Sequence, residues 1–235
     1  MGDQPPLAGM LPQALMPVWI SLQLAVVTVA VLLVLGTPLA WWLAMGRSRW
    51  RGPVDALVAL PLVLPPTVLG FYLLILLGPD GPVGAPWVAL TGQTLTLSFT
   101  GLVITSVLYS LPFVVQPLRD AFRHVGRRPM ETAALLGARP LDAFATVACP
   151  LARRGFMVAG VLGFTHTLGA FGAILMVGGS IPGETRTVAI ALFEHAETLE
   201  YGAAHALSAG LLAFACLALL AIYTLNGRQR VSVGV

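Results

Sequence analysis

His166 stands between Thr165 and Thr167 inside an apolar run, where an ionisable side chain is costly to keep. An imidazole there can relay protons, or it can be satisfied by a hydrogen bond to a neighbouring carbonyl, and both readings are open at this stage. Glu184 and Arg186 lie in the polar turn IPGETRT, with Gly183 and Thr185 beside them. They can pair locally, or Arg186 can meet an anion or an acidic partner. Covalent and hydrolytic chemistry has no such foothold, because the apolar runs hold no paired carboxylates, no HExxH and no nucleophile beside a base. Cys149 and Cys216 lie too far apart in depth for an obvious disulfide, and no His pair stands near them to complete a zinc site. All 13 basic residues are arginine. Without lysine the chain can hold neither a phosphate-gripping P-loop nor a Schiff base. No catalytic residue, cofactor or metal is expected, and any ATP hydrolysis belongs to another subunit.

The most patterned polar stretch is ETAALLGARPLDAFATVACPLARRG, residues 131–155. Pro129 suits the first turn of a helix, and Glu131 then lies near the positive end of its dipole. Ala133 and Ala134 continue that helix, and Gly137 supplies a left-handed stop. Pro140 opens a second short helix, with Asp142 in its first turn and Pro150 as its terminator. Leu141, Phe144, Val147, Ala148 and Leu151 recur at helical spacing and predict one apolar face. The stretch reads as helix, glycine turn, helix, presenting an oily face; a helix lying on the membrane surface would share these features.

The elements that must position these residues are set by composition. Hydrophobic residues make up 57% and charged residues 10%, against roughly 25% charged in soluble domains. Five apolar runs match the length of a bilayer-crossing helix: 18–45, 54–77, 95–115, 156–178 and 203–225. The expectation is an all-α, polytopic membrane protein, one domain over residues 1–235, with a long polar loop at 116–155. Residues 1–17 carry no basic residue and are expected to be a short tail rather than a signal peptide.

Arginine placement orients the chain. All of them except Arg186 fall between runs one and two, between runs three and four, or after the last run. By the positive-inside bias that side is the cytoplasm, which puts the N-terminus outside, the C-terminus inside and the 116–155 loop inside. The net charge of +3 follows from topology and does not point to nucleic acid. Pro61, Pro65 and Pro66 interrupt the second run beside Thr67, as a packed kink or as a bend lining a pathway. Asp55, at the cytoplasmic end of that run, is expected to be solvated. The fourth run is rich in small residues that permit close helix approach. Within it Thr165, His166 and Gly169 are candidates for the same pathway.

The order Glu131, Thr132, Ala133, Ala134, then Gly137, then Val147 and Pro150 resembles the cytoplasmic EAA loop of ABC importer permeases. GTPLAWWLA, LPLVLPPTVLGFYLLILLG, TLGAFGAILM and IPGETRT extend the likeness to the molybdate permease subunits of that family over nearly the whole chain. The resemblance implies five spans in a homodimer embedded in the inner-membrane bilayer. It also implies a cytoplasmic ATPase dimer docked on Glu131, Ala133, Ala134, Gly137, Leu141, Phe144, Val147 and Pro150, and a periplasmic molybdate-binding protein on the other side. The implied function is ATP-driven import of molybdate or tungstate by alternating access. A sulfate-type permease is the neighbouring alternative, and an ion-coupled transporter using His166 is the rival from another class. Relatives often carry an arginine and a glutamate where this chain has His166 and Ala170. Loss of both together is expected if they normally pair.

Overall fold

The computed structural model describes residues 7–227, and among these the secondary structure is helix and turn with no strand. Helix α1 (Leu7–Met45) runs first, so the segment expected to be a tail becomes helical from Leu7 onward. Leu7, Ala8, Met10, Leu11, Leu15 and Met16 are strong helix formers, and Pro12 and Pro17 each remove one backbone bond without ending the helix. The expectations for residues 1–6 and for Arg228 and Arg230 lie outside the described residues.

Among the described residues three helices are long and apolar enough to cross a membrane: residues Leu15–Met45 of α1, α5 (Phe99–Val125) and residues Tyr201–Leu220 of α12 (Tyr201–Gly227). The count reaches five if each of two bent pairs is one span: Arg51–Val63 with Pro66–Leu77, and Pro140–Leu151 with Arg153–Leu168. The expected second run, 54–77, is not a single rod. It divides into α2 (Arg51–Val63) and α3 (Pro66–Leu77), which meet at 113°. Leu64 and Pro65 are extended, with ψ of 136° and 135°, because a residue before proline is driven out of the helical region and two prolines follow each other here. The fourth run, 156–178, also divides, into α9 (Arg153–Leu168) and α10 (Gly172–Gly178). A short helix, α4 (Gly84–Thr91), and α11 (Val188–Glu197) complete the end opposite the arginines. α5 continues to Val125, past the expected limit of 115, since its amphipathic last turns still have a core to cover.

α1, α5 and α9 pack side by side and hold most of the core. Near the arginine-rich end this core contains Leu32, Ala40, Leu43, Val58, Val114, Leu118 and Phe122, all at most 2% exposed. A second cluster near the other end joins Leu24, Leu102, Ala170, Ile174 and Ile190. α3 lies on α10, and there Gly70 approaches so closely that a Cβ would meet Ala173 Cα at 2.8 Å. Both cysteines are free.

Candidate functional site

Three places bring the candidate residues together: the elbow after α5, the α2–α3 and α9–α10 breaks, and the polar turn at the far end. The elbow begins with α6 (Arg128–Leu135), which opens with Pro129 and holds Glu131 in its first turn. It closes in a Schellman motif. Gly137 adopts φ +88°, its N–H bonds to Ala134 O at 3.0 Å, and the Ala138 N–H bonds back to Ala133 O at 3.0 Å. Pro140 then starts α7 (Pro140–Ala143), followed by a π-helical turn (Phe144–Ala148) and α8 (Cys149–Leu151).

Pro150 does not terminate this second helix, contrary to expectation. A proline lacks the N–H and its ring crowds the carbonyl four residues back. The π-turn just before it widens the backbone, with Cys149 N–H bonding to Phe144 O, and so accommodates the ring. The chain turns instead at Ala152, where the elbow meets α9 at 71°.

The single apolar face expected for this elbow is divided in two. Phe144 turns inward, edge-on to Trp41 at 5.0 Å between ring centroids, with Phe122 at 5.9 Å. Ala143 and Ala148 are buried with it, and Val147 is half-buried. Leu141 instead faces out at 80% exposure, and Leu151 is also exposed. Leu141 is joined by two leucines that helical spacing did not mark: Leu135 at 88% and Leu136 at 84%. Their signal was present as an adjacent pair just before the glycine stop, where a soluble helix would carry polar residues. Glu131, Ala134, Gly137 and Pro150 are exposed beside them, whereas Ala133 is buried. Burial pushes the Cys149 thiol above its ordinary range.

Pro65, Pro66 and Thr67 are exposed at the break between α2 and α3. Across from them lies the other break: a Cβ on Gly172 would stand 3.3 Å from Pro66 Cβ and 3.4 Å from Thr67 Cγ2. The two interruptions therefore face each other, and Gly169 is exposed near them. Thr165 and His166 belong to a different neighbourhood. Thr165 bonds its own helix at Val161 O, 2.8 Å away. His166 is stacked on Phe113 with centroids 3.8 Å apart, and Tyr109 lies at 4.6 Å. Its Nδ1 is 3.0 Å from Ser110 Oγ, which is also 3.0 Å from Thr167 Oγ1. The imidazole is thus satisfied by a hydroxyl of α5. Ala170 is 4% exposed among Leu24, Leu102, Ile174 and Ile190, a setting that would strand a charge.

At the far end Glu184 and Arg186, which could have paired locally, do not. Arg186 Nη2 lies 2.6 Å from Glu194 on α11, and the Ser180 hydroxyl donates to the same carboxylate. The tight turn leads to this choice: Thr185 is buried, accepting the Ile181 N–H at 3.0 Å, and Gly183 has φ +85°. Glu184 is left exposed, lining a crevice of about 750 Å³ with Gln23, Gln93, Thr94 and Ser98. Asp55 is not simply solvated either, since both its carboxylate oxygens accept from Arg119.

A family model, the binding-protein-dependent transport system inner membrane component, matches residues 36–231. The molybdenum transport system permease protein ModB of Azotobacter vinelandii is 56% identical over 205 residues, 87% of this chain and 91% of that relative. ModB of Escherichia coli K12 is 36% identical, covering 77% and 81%. The sulfate transport system permease protein CysT of Escherichia coli K12 is 32% identical, covering 83% and 70%. Among solved structures, the inward-facing MetNI methionine ABC transporter superposes with a TM-score of 0.71 at 15% identity, covering 96% of this chain and 97% of its counterpart. A bacterial alginate-importing ABC transporter gives 0.68 at 16%, covering 94% and 80%. Identities that low establish a shared fold.

Proposed function

The chain belongs to the binding-protein-dependent transport system inner membrane component family, and from that premise we propose that it is the permease of an ABC importer carrying molybdate across the inner membrane. One observation carries the reading: the likeness to a molybdenum permease runs at 56% identity over nearly the full length of both chains. The sulfate permease is more distant and shares less of its length. Tungstate, with the same shape and charge, is a second cargo.

The elbow supports a coupling role. Leu135, Leu136 and Leu141 form an exposed apolar knuckle at the arginine-rich end, suited to a cleft on a cytoplasmic ATPase subunit. Glu131, Ala134, Gly137 and Pro150 border it, while Ala133, Phe144 and Val147 fix it from beneath. Behind the knuckle, Phe144 on Trp41 and the 71° junction with α9 carry its displacement into α1 and α9. Two copies of the chain, with five spans each and the N-terminus outside, frame the passage between them. The facing breaks at Pro65–Thr67 and Gly169–Gly172 flex as the passage alternates its access. The break offers Thr67 and no basic side chain, so the dianion is held weakly and released readily. A periplasmic oxyanion-binding protein delivers it against the far end, where Gly183 and Glu184 line a polar crevice and Thr185 and Arg186 hold the turn.

The test is reconstitution in vesicles with the ATPase and the oxyanion-binding protein. Molybdate and tungstate should each stimulate ATP hydrolysis and accumulate inside. Stimulation by sulfate alone would reassign the cargo.

A further inference from the structure

A helix ends with carbonyls that have no partner within it, and the end of α1 has an unusual answer to that problem. Arg51, the first residue of α2, donates from Nη1 to Gly46 O at 2.8 Å and from Nη2 to Ala44 O at 3.1 Å and to the Leu43 carbonyl. The carbonyl between them, Met45 O, accepts instead from Arg127 Nη2 at 2.9 Å. Two guanidiniums thus share four consecutive carbonyls at the negative end of the α1 dipole, where cations are favoured.

The two arginines differ in what they are attached to. Arg51 belongs to the turn that follows α1, so its capping is local. Arg127 lies 82 residues from its acceptor and is the residue from which α6 starts. Before it stands Gly126, at φ +71° with open space where a side chain would be. The joint between α5 and α6 is therefore a bare glycine. Met130 in the first turn of α6 and buried Ala133 beyond it seat the helix against the core. The polar tie at its start is Arg127, bonded to the end of α1.

We infer that Arg127 is a positioning residue for transport: it ties the first turn of the coupling helix to the end of α1, so that a displacement of α6 moves α1. This rests on the coupling role proposed above for the elbow. Without the tie, α6 could pivot at Gly126, and its displacement would reach α1 only through the apolar contacts of Met130 and Phe144. Hydrolysis would continue while transport lagged.

The experiment uses the full transporter in proteoliposomes, with membrane level, ATPase co-purification, ATP hydrolysis and molybdate uptake measured together. Arg127→Gln should keep normal assembly and hydrolysis but move about threefold less molybdate per ATP, the effect of losing one solvent-exposed charge-assisted hydrogen bond. Arg127→Lys, which keeps a long side chain and a donor, should recover most of that ratio. Arg51→Gln should lower thermal stability and leave the ratio unchanged, separating capping from transmission. An unchanged ratio in Arg127→Gln overturns the inference, and so does loss of ATPase binding in that variant. The coupling role itself is tested separately by Leu141→Glu: if this variant retains the ATPase at wild-type levels, the elbow is not the docking element, however Arg127→Gln behaves.

Discussion

Arg119 Nη1 lies 2.6 Å from Asp55 Oδ2, joining α5 to α2 across 64 residues of sequence. The pair is partly open to solvent, with side chains 15% and 29% exposed, and Asp120 sits beside the same guanidinium at 3.0 Å. Asp55→Asn keeps the shape and removes the charge. It should destabilise the protein by about 1–2 kcal/mol, the lower part of the range for a broken half-buried pair. A thermal unfolding scan in detergent reads this, and an unchanged midpoint would show the pair to be idle.

Phe144 and Leu141 should part company on substitution. Phe144→Ala removes the ring packed on Trp41 and should cost about 2–3 kcal/mol of stability. Leu141→Glu replaces an exposed residue and should change stability by less than about 0.5 kcal/mol while abolishing ATPase co-purification. Equal loss of stability in both would return Leu141 to the core.

A Cβ at Gly137 would meet nothing within 4 Å, so the constraint there is purely one of backbone angle. Gly137→Val should cost roughly 1–2 kcal/mol in the elbow, misalign α6 and α7 and end uptake at normal membrane levels. Gly137→Ala should be milder, and Gly137→Asn milder still, because Asn tolerates this region. Full uptake by the valine variant would remove the elbow from the coupling path.

His166 should prove structural. Its imidazole is held by Phe113 and Ser110, and Gln can reproduce the hydrogen bond to Ser110. His166→Gln should transport within about twofold of the parent, under half a kcal/mol. Uptake should also continue after an uncoupler collapses the proton gradient. Uptake that stops with the gradient but ignores ATP would install the proton-coupled alternative.

Orientation is checked with single cysteines placed after Cys149 and Cys216 are replaced. Asp80→Cys and Glu197→Cys should react with an impermeant thiol reagent from outside intact cells, and Arg127→Cys should not. Labelling of the Arg127 site would invert the topology.

Features whose causes lie within a few residues were legible in the sequence. The helical class followed from composition, and the Gly137 stop and the Pro140 start followed from caps that act within one turn. The breaks were legible only by half. Three prolines announced a disturbance in the second span, but the 113° bend depends on α3 packing against α10, which no local pattern records. The face of the elbow was misjudged because a π-turn changes the angular phase between Phe144 and Leu151, and because Leu141 has none of the described helices above it. Ion-pair partners were beyond reach for a similar reason. Asp55 and Arg119 lie 64 positions apart, and Arg186 passes over nearby Glu184 for Glu194 because the Thr185 turn points it that way.

The close seating of Gly70 on Ala173 has a consequence for how the protein is made. α3 has 12 residues and α10 has 7, roughly 18 and 10 Å of helix, so neither alone reaches across a hydrocarbon core of roughly 30 Å. They are seated on each other, yet about a hundred residues of synthesis separate them. At roughly 5–20 residues per second, α3 leaves the ribosome roughly 5–20 seconds before the surface it must settle on. Throughout that interval Gly70 lacks the Ala173 backbone on which it closes. A chain that stops short of Gly172 therefore lacks the surface on which α3 is seated.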